Sequence, residues 1–452
     1  MLNKLNFLDI FVFFAILVFT YLFVFLRLKK KKSSDFLDYL LMGRRLTLPL
    51  FIATLVSTWY GGILGVTEIA FNDGIYNFVT QGFFWYLSYL FIAFFLVTKI
   101  KRGNPITLPE LIKNVAGEKS SKLASYLYLF NLIPIAYVMS IGFFIQSIFA
   151  IPFASSMILG VTLVLTYSYF TGFEGIVYSD VIQFFVMCSS VLMLLIYSVM
   201  HFGGLSYLQS SLPKSYFSPL GTQSLGEVLS WGLIAFGTLI DPNFYQRIFA
   251  AKNEKTAKNG IIISTCIWCV FDLSTTFGAM YAKAYMPQAQ SSQAYLLYAL
   301  EVLPSPLKGF FLAGMLATIL STLDSFLFLA GNTLSFDILG FKKNRLKAHK
   351  ASILFIGLFS ITLSFLFKGS IKNVWQALGS LSASTLLIPT LFSLKWPKRL
   401  SDSQFVLISL MGLVGVSLSH LYIPQIQIQP IYTGVLCSCC TLGFTLLKNQ
   451  LK

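Results

Sequence analysis

One apolar stretch of the sequence, Gly314 to Gly331, carries a row of polar side chains that lipid would not tolerate. On a helix with 100° per residue these side chains share one face, and the carboxylate of Asp324 flanks them. A carboxylate at bilayer depth costs roughly 2.5–3.5 kcal/mol, so it must face protein, water or an ion. Hydroxyl and carbonyl oxygens are the ligands that small hard cations prefer. The row, which we interpret as a cation site, consists of Thr318, Ser321, Thr322, Ser325 and Asn332.

The same row has a second interpretation as a helix-packing seam. Serine, threonine and glycine are common where membrane helices pack closely, and hydroxyl groups can bond back to their own helix. The stretch alone does not separate the two interpretations, although Asp324 favours the cation site.

Two other apolar runs are interrupted by glycines and polar residues. The run 53–65 has a Ser57-Thr58 pair followed by three glycines, and the run 230–242 repeats this pattern five helices later. An unwound segment exposes backbone carbonyls, which survive in lipid only if something coordinates them. Interrupted helices at matching positions in two halves of a chain indicate a transporter site at the membrane midplane. Glycine-mediated helix packing is the alternative.

The composition predicts an all-α polytopic membrane protein. Of the 452 residues, 56% are hydrophobic and 11% are charged, and the mean hydropathy is +0.75. The net charge of +16 would suggest a nucleic-acid partner only if membrane topology were ignored, so we expect none. The six cysteines lie in apolar runs, where packing is the expected role. Three dispersed histidines supply no metal cluster or nucleophile–base set, so we do not expect an enzyme.

Thirteen apolar runs predict about thirteen transmembrane helices. They form a single membrane domain, 1–452, in which two five-helix segments start with opposite orientations and therefore make an inverted repeat. The parts are an extra N-terminal helix at 7–27, the first repeat at 46–200, the second repeat at 226–394 and two C-terminal helices at 402–447.

The distribution of basic residues sets the predicted orientation. With the N-terminus outside and the C-terminus in the cytoplasm, 27 of the 33 Lys and Arg residues fall in cytoplasmic segments, among them the segment that starts at Arg247. The first run lacks a basic leader and a small-residue cleavage site, so we expect a retained helix. We expect a multi-pass protein of the plasma (inner) membrane.

Several motifs together resemble the sodium:solute symporter family, which has a LeuT-type fold built as a five-plus-five inverted repeat. The resemblance covers about residues 42 to 340, and the motifs are specific only jointly. They are Met42-Gly-Arg-Arg-Leu46, the broken run 57–65, Gly172-Phe-Glu-Gly-Ile-Val-Tyr-Ser-Asp-Val-Ile-Gln183, Gln246-Arg-Ile-Phe-Ala-Ala-Lys252 and the helix Ala317–Asp337.

The resemblance implies two ion sites. The main sodium site would use the carbonyls of Leu55 and Thr58, with the Thr318 carbonyl and the Ser321 and Thr322 hydroxyls. A second ion, which some members bind, would use Asp180 with Ser321 and Ser325. Asp324 stands where some relatives have a neutral residue and would add a ligand or carry a proton. The ion stoichiometry is therefore open.

The implied function is sodium-coupled import of a small organic solute, of the amino acid, sugar or carboxylate class, by alternating access. A proton-coupled symporter or exchanger is the alternative, with Asp180, Asp272 and Asp324 as proton carriers. We expect the solute site between the two broken helices, although packing or interface anchoring is the other reading of each candidate. The candidate solute-binding residues are Trp59, Glu68, Gln81, Trp85, Tyr137, Gln146 and Asn243.

Overall fold

The computed structural model describes residues 4–28, 36–341, 344–367, 370–422 and 429–450. Four lysines at 29–32, which count among the 27 basic residues of the predicted cytoplasmic segments, lie outside these residues. Every named element in the described ranges is a helix, and the β pairing found there is one isolated parallel bridge between Leu46 and Ala251. The chain is therefore all-α, as the composition predicts.

Ten helices in the described ranges are long and apolar enough to cross a membrane, and shorter or broken helices make up the rest of the predicted runs. The count of thirteen crossings stays a prediction. In chain order the main helices are α1 (Phe7–Leu28), α2 (Leu48–Ser57), α3 (Ile63–Asp73), α4 (Phe78–Lys101), α5 (Glu118–Phe149), α6 (Phe153–Thr166), α7 (Gly172–Phe202), α8 (Leu225–Phe236), α9 (Pro242–Ala250), α10 (Glu254–Tyr285), α11 (Leu307–Ile338), α12 (Arg345–Phe367), α13 (Ile371–Lys395), α14 (Asp402–Tyr422) and α15 (Pro430–Gln450). Short helices at Phe36–Leu41, Leu108–Val115, Leu205–Ser211 and Ser291–Val302 lie between them.

The first predicted break lies between α2 and α3. Helix α2 ends at Ser57 and α3 begins at Ile63, so residues 58–62 leave the helical path in the middle of an apolar run. Gly61 lets this segment approach α11, because a Cβ built there would lie 2.4 Å from the Thr322 Cβ. Only a residue without a side chain fits at that distance.

The second predicted break lies between α8 and α9. Helix α8 ends at Phe236, a short 3₁₀ turn covers Gly237–Ile240, and Asp241 then caps α9. The Asp241 Oδ1 accepts hydrogen bonds from the N–H groups of Asn243 (2.9 Å) and Phe244 (3.0 Å). An aspartate at this position satisfies backbone donors that the helix cannot, and therefore fixes where α9 begins.

Helix α11 is the centre of the structure. Its most apolar window is entirely buried, whereas the corresponding windows of α1 and α15 are only 22% buried. Helices α1, α5, α7 and α12 pack around α11. The outer helices expose large apolar side chains such as Phe11 and Phe444, which suits contact with lipid acyl chains. The polar row of α11 is thus surrounded by protein.

Candidate ion and solute sites

The end of α2 and the middle of α11 bring oxygen atoms together inside the helix bundle. Ser321 Oγ donates to the Ser57 carbonyl (2.8 Å), and Thr322 Oγ1 accepts the Gly61 N–H (2.7 Å). Both hydroxyls also lie near the Thr318 carbonyl, at 3.1 and 3.3 Å. These side chains are all fully buried. The arrangement joins two carbonyl and two hydroxyl oxygens, the donor set that a small hard cation prefers.

The structure places the two predicted carbonyl donors beside this cluster. Leu55 and Thr58 are buried and flank Ser57 at the end of α2. The α2 carbonyl within hydrogen-bond distance of the Ser321 hydroxyl is that of Ser57, which the resemblance did not single out. The last carbonyls of a helix lack partners within that helix. The helix end at Ser57 was therefore the signal that the Ser57 carbonyl is free to act as a donor. The ligand roles of Leu55 and Thr58 stay predictions.

The residues predicted for a second ion surround a buried guanidinium. Arg247 on α9 is fully buried, and its Nη2 donates to Ser325 Oγ (2.7 Å) and Thr58 Oγ1 (2.8 Å). The same Nη2 lies 4.0 Å from Asp180 Oδ2, which also accepts the Thr54 hydroxyl at 2.5 Å. Cationic nitrogen atoms therefore occupy the space between Asp180 and Ser325.

The environment of Arg247 corrects one expectation and bears on another. The sequence placed Arg247 in a cytoplasmic connector, but it is buried among α2, α7, α9 and α11. The side-chain oxygen of Asn243 accepts a hydrogen bond from Arg247 Nη1, and the predicted contact of Asn243 with solute stays a prediction. The position of Asn243 one turn before Arg247 on α9 explains this hydrogen bond. Asp324, also proposed for the second ion, is fully buried on α11 and acts electrostatically on Arg247.

A cavity of about 160 Å³ lies between the two breaks. Four of the seven predicted solute residues line it: Trp59, Gln81, Trp85 and Tyr137. Its wall also includes residues from both breaks, such as Gly62 and Thr238. A concave, largely aromatic cavity with a few polar groups is the usual form of a small-molecule site.

The other predicted solute residues are not among those lining the cavity. Glu68 accepts a hydrogen bond from Ser291 (3.3 Å), and Gln146 lies near the end of α5, where its carbonyl accepts the N–H of Ala150. The structure does not bring Glu68 and Gln146 to this cavity, and their solute-binding role stays a prediction.

Several lining residues were missed from the sequence, among them Tyr60, Asn131, Trp231, Asp241 and Trp375. Asp241 had a usable signal, because an aspartate directly before a proline is a typical helix start. The tryptophans had none, since an indole in an apolar run is compatible with lipid, core or ligand contact.

Asp272 lies outside both sites. It is buried on α10, accepts a hydrogen bond from the Tyr86 hydroxyl of α4, and its Oδ1 has no hydrogen-bond partner among the described residues. It neither lines the cavity nor contacts the oxygen cluster of α2 and α11.

A model of the sodium:solute symporter family matches residues 39–405 of this chain. Among curated proteins, the sodium/pantothenate symporter of Escherichia coli is 25% identical over 364 residues, covering 75% of this chain and 74% of the relative. The sodium/proline symporter of Staphylococcus aureus is 25% identical over 425 residues, covering 85% and 80%. These relatives are transporters and not enzymes, and they are coupled to sodium.

Solved structures share the fold. A Na⁺-coupled sialic acid symporter, in a substrate-bound outward-open state with a novel Na⁺ site, matches with a TM-score of 0.77 at 16% identity, covering 96% of each chain. A nucleobase-cation-symport-1 family transporter in a closed conformation matches with a TM-score of 0.57 at 10% identity, covering 88% of this chain and 92% of the other. The predicted LeuT-type architecture is confirmed.

Proposed function

Because this chain belongs to the sodium:solute symporter family and is therefore a sodium-coupled membrane transporter of a small solute, we propose that its sodium ion binds between the end of α2 and the middle of α11. The observation that carries the proposal is the contact between the Ser321 hydroxyl and the Ser57 carbonyl. It brings hydroxyl and carbonyl oxygens from two helices to one buried point, together with Thr318 and Thr322.

Sodium at this point would couple to solute through the broken helix. The same segment, residues 58–62, contacts α11 through Gly61 and lines the cavity through Trp59, Tyr60 and Gly62. An ion that holds the end of α2 against α11 would therefore also fix one wall of the solute cavity. Binding of either ligand then favours the conformation that the other requires, which is a shift between existing states and not a chemical step.

The available driving force is sufficient for accumulation of solute. One sodium ion entering down about 100 mV releases ~2.3 kcal/mol, and a tenfold sodium gradient adds ~1.4 kcal/mol. Together these terms support a solute gradient of roughly 500-fold per coupled ion. In alternating access the protein supplies no energy of its own. It only has to prevent sodium and solute from crossing the membrane separately, so that the sodium gradient drives solute uptake.

We further propose that the transporter resides in the plasma (inner) membrane, with the N-terminus outside and the C-terminus in the cytoplasm. The bias of Lys and Arg toward alternate connectors supports this orientation. The test is labelling of single cysteines introduced at Lys214 and Lys347 in a chain without native cysteines. A membrane-impermeant maleimide added to intact cells should label the variant at position 214 and not the one at 347.

The experiment that tests the function is uptake by the full-length protein in proteoliposomes. An inward sodium gradient should drive accumulation of a solute identified by binding, and a potassium gradient of equal size should not. An inward proton gradient without sodium should also fail to drive uptake. Accumulation driven by protons alone would contradict the proposal.

A further inference from the structure

Tryptophan is concentrated around the solute cavity. Four of the six tryptophans in the chain line it: Trp59, Trp85, Trp231 and Trp375. The Trp85 and Trp231 ring centroids are 6.3 Å apart, and Tyr137 packs edge-on against Phe326 at 4.7 Å on another part of the wall. Indole rings attract cations at their faces more strongly than other aromatic side chains do, especially where water is excluded.

One carboxylate adds a negative charge to this aromatic wall. Among the described residues that line the cavity, Asp241 is the single one with a charged side chain, and none is Lys, Arg or His. Its Oδ1 is held by the N–H groups that begin α9, whereas its Oδ2 accepts no hydrogen bond from the described residues and is available to a ligand. Arg247 on the same helix attracts Asp241 through space, but it does not line the cavity and its donors bind Asn243, Thr58 and Ser325.

These features discriminate between solute classes. An anion without a cationic group would meet Asp241 with no basic side chain among the described residues of the wall to offset the repulsion. A neutral sugar would stack on the indole rings but bring no cationic partner to Asp241 Oδ2. A solute with a positive nitrogen satisfies both, because the same group pairs with the carboxylate and lies against ring faces.

We propose that the transported solute carries a positively charged amine or quaternary ammonium group, which binds between Asp241 and the indole rings of the cavity. The proposal rests on the proposed function, because it takes this cavity as the solute site.

The test compares ammonium compounds with carbon isosteres of the same shape. Binding to purified full-length protein in sodium is measured by tryptophan fluorescence and calorimetry for three pairs: glycine betaine with 3,3-dimethylbutanoate, choline with 3,3-dimethyl-1-butanol, and proline with cyclopentanecarboxylate. We expect at least one ammonium compound to bind more than tenfold more tightly than its carbon partner. Equal affinities within every pair, or no binding of any ammonium compound, would overturn the proposal.

Two pairs of variants locate the charge effect. Asp241→Asn keeps a side chain that caps α9 but removes the charge, so it should weaken ammonium binding more than tenfold while leaving binding of the neutral isostere 3,3-dimethyl-1-butanol unchanged. Asp402→Asn is the matched control, because Asp402 also accepts two backbone N–H groups but lies outside the cavity. Trp85→Leu should weaken binding likewise, and Trp396→Leu, at a residue outside the cavity, should not.

The outcomes separate this proposal from the sodium site. Tight ammonium binding that does not depend on sodium would contradict the coupling proposed above but support the solute class. Sodium-dependent binding of a sugar or of an anion without a cationic group would contradict the proposed solute class but support the proposed coupling.

Discussion

Arg247 Nη2 lies 4.0 Å from Asp180 Oδ2, and both side chains are buried from solvent. The arginine belongs to the second broken helix and the aspartate to α7, which lies against α11. The same guanidinium nitrogen also reaches Thr58 at the end of α2 and Ser325 on α11. One side chain therefore connects both broken helices to α7 and α11. Movement of the broken helices relative to those two requires these contacts to break.

Removal of the guanidinium should destabilise the protein and abolish uptake. Arg247→Gln leaves Asp180 buried without its cation, and a buried charge that loses its partner costs about 3–5 kcal/mol. The measurement is thermal unfolding of the purified protein, together with solute uptake. The substitution Arg399→Gln, at an exposed position, should change neither quantity.

A double variant tests whether the loss comes from the charge pair. Arg247→Gln combined with Asp180→Asn removes both charges, so its stability should exceed that of Arg247→Gln alone by about 1–3 kcal/mol. Additive losses of stability in the double variant would show that the two side chains are not coupled.

We expect one sodium ion to move with each solute. A second cation bound between Asp180 and Ser325 would be in contact with the guanidinium of Arg247. Two positive charges in contact repel each other strongly in a buried site. Sodium activation of uptake should therefore have a Hill coefficient near 1, and the ratio of ²²Na⁺ flux to solute flux should also be near 1. A coefficient near 2 that falls to 1 in Asp180→Asn would instead establish a second ion at Asp180.

The fold was predictable because its signals are local. Hydrophobic runs, glycine interruptions and the positions of basic residues each follow from the cost of polar groups in lipid. They gave the all-α class and an interruption within each of the runs 53–65 and 230–242, where the structure has breaks at 58–62 and 237–241. The same reasoning misplaced Arg247. An arginine is tolerated in a buried position only where partners such as Asp180 and Ser325 surround it, and these partners are distant in sequence.

The candidate site was predictable only in part, for a related reason. Helical spacing placed Ser321 and Thr322 on one face, and the end of α2 was recognisable from its glycines. The packing of α2 against α11 decides which carbonyl these hydroxyls contact. In the structure it is the Ser57 carbonyl, and not that of a neighbour, that lies opposite Ser321. Cavity residues such as Trp375 come from helices far apart in sequence, so their convergence had no local signal.

Loss of either hydroxyl in the oxygen cluster should raise the sodium requirement. Ser321→Ala and Thr322→Val each remove one oxygen, and a polar contact to a charged group contributes roughly 1.5–3 kcal/mol. The sodium concentration for half-maximal uptake should therefore rise about tenfold or more, with a smaller change in maximal rate at saturating sodium. Uptake at varied sodium measures this directly.

Matched substitutions control for loss of a buried hydroxyl as such. Ser360 and Thr265 are buried on α12 and α10 and bond to carbonyls of their own helices. Ser360→Ala and Thr265→Val should leave the sodium requirement unchanged, and Thr322→Ser, which keeps the oxygen, should resemble the wild type. An unchanged sodium requirement in both Ser321→Ala and Thr322→Val would rule out sodium binding at this cluster.

A single methyl group at Gly61 should separate α2 from α11 and thereby disrupt the sodium site. The added Cβ of Gly61→Ala would lie 2.4 Å from the Thr322 Cβ, so one of the two backbones has to move, and the 2.7 Å bond from the Gly61 N–H to Thr322 Oγ1 lengthens. Sodium affinity and thermal stability should both fall.

The control is Gly443→Ala on α15, where an added Cβ meets no atom within 4 Å. There alanine should stabilise the helix by up to about 1 kcal/mol. Equal behaviour of the two variants would mean that the close approach of Gly61 to Thr322 is not needed for sodium binding.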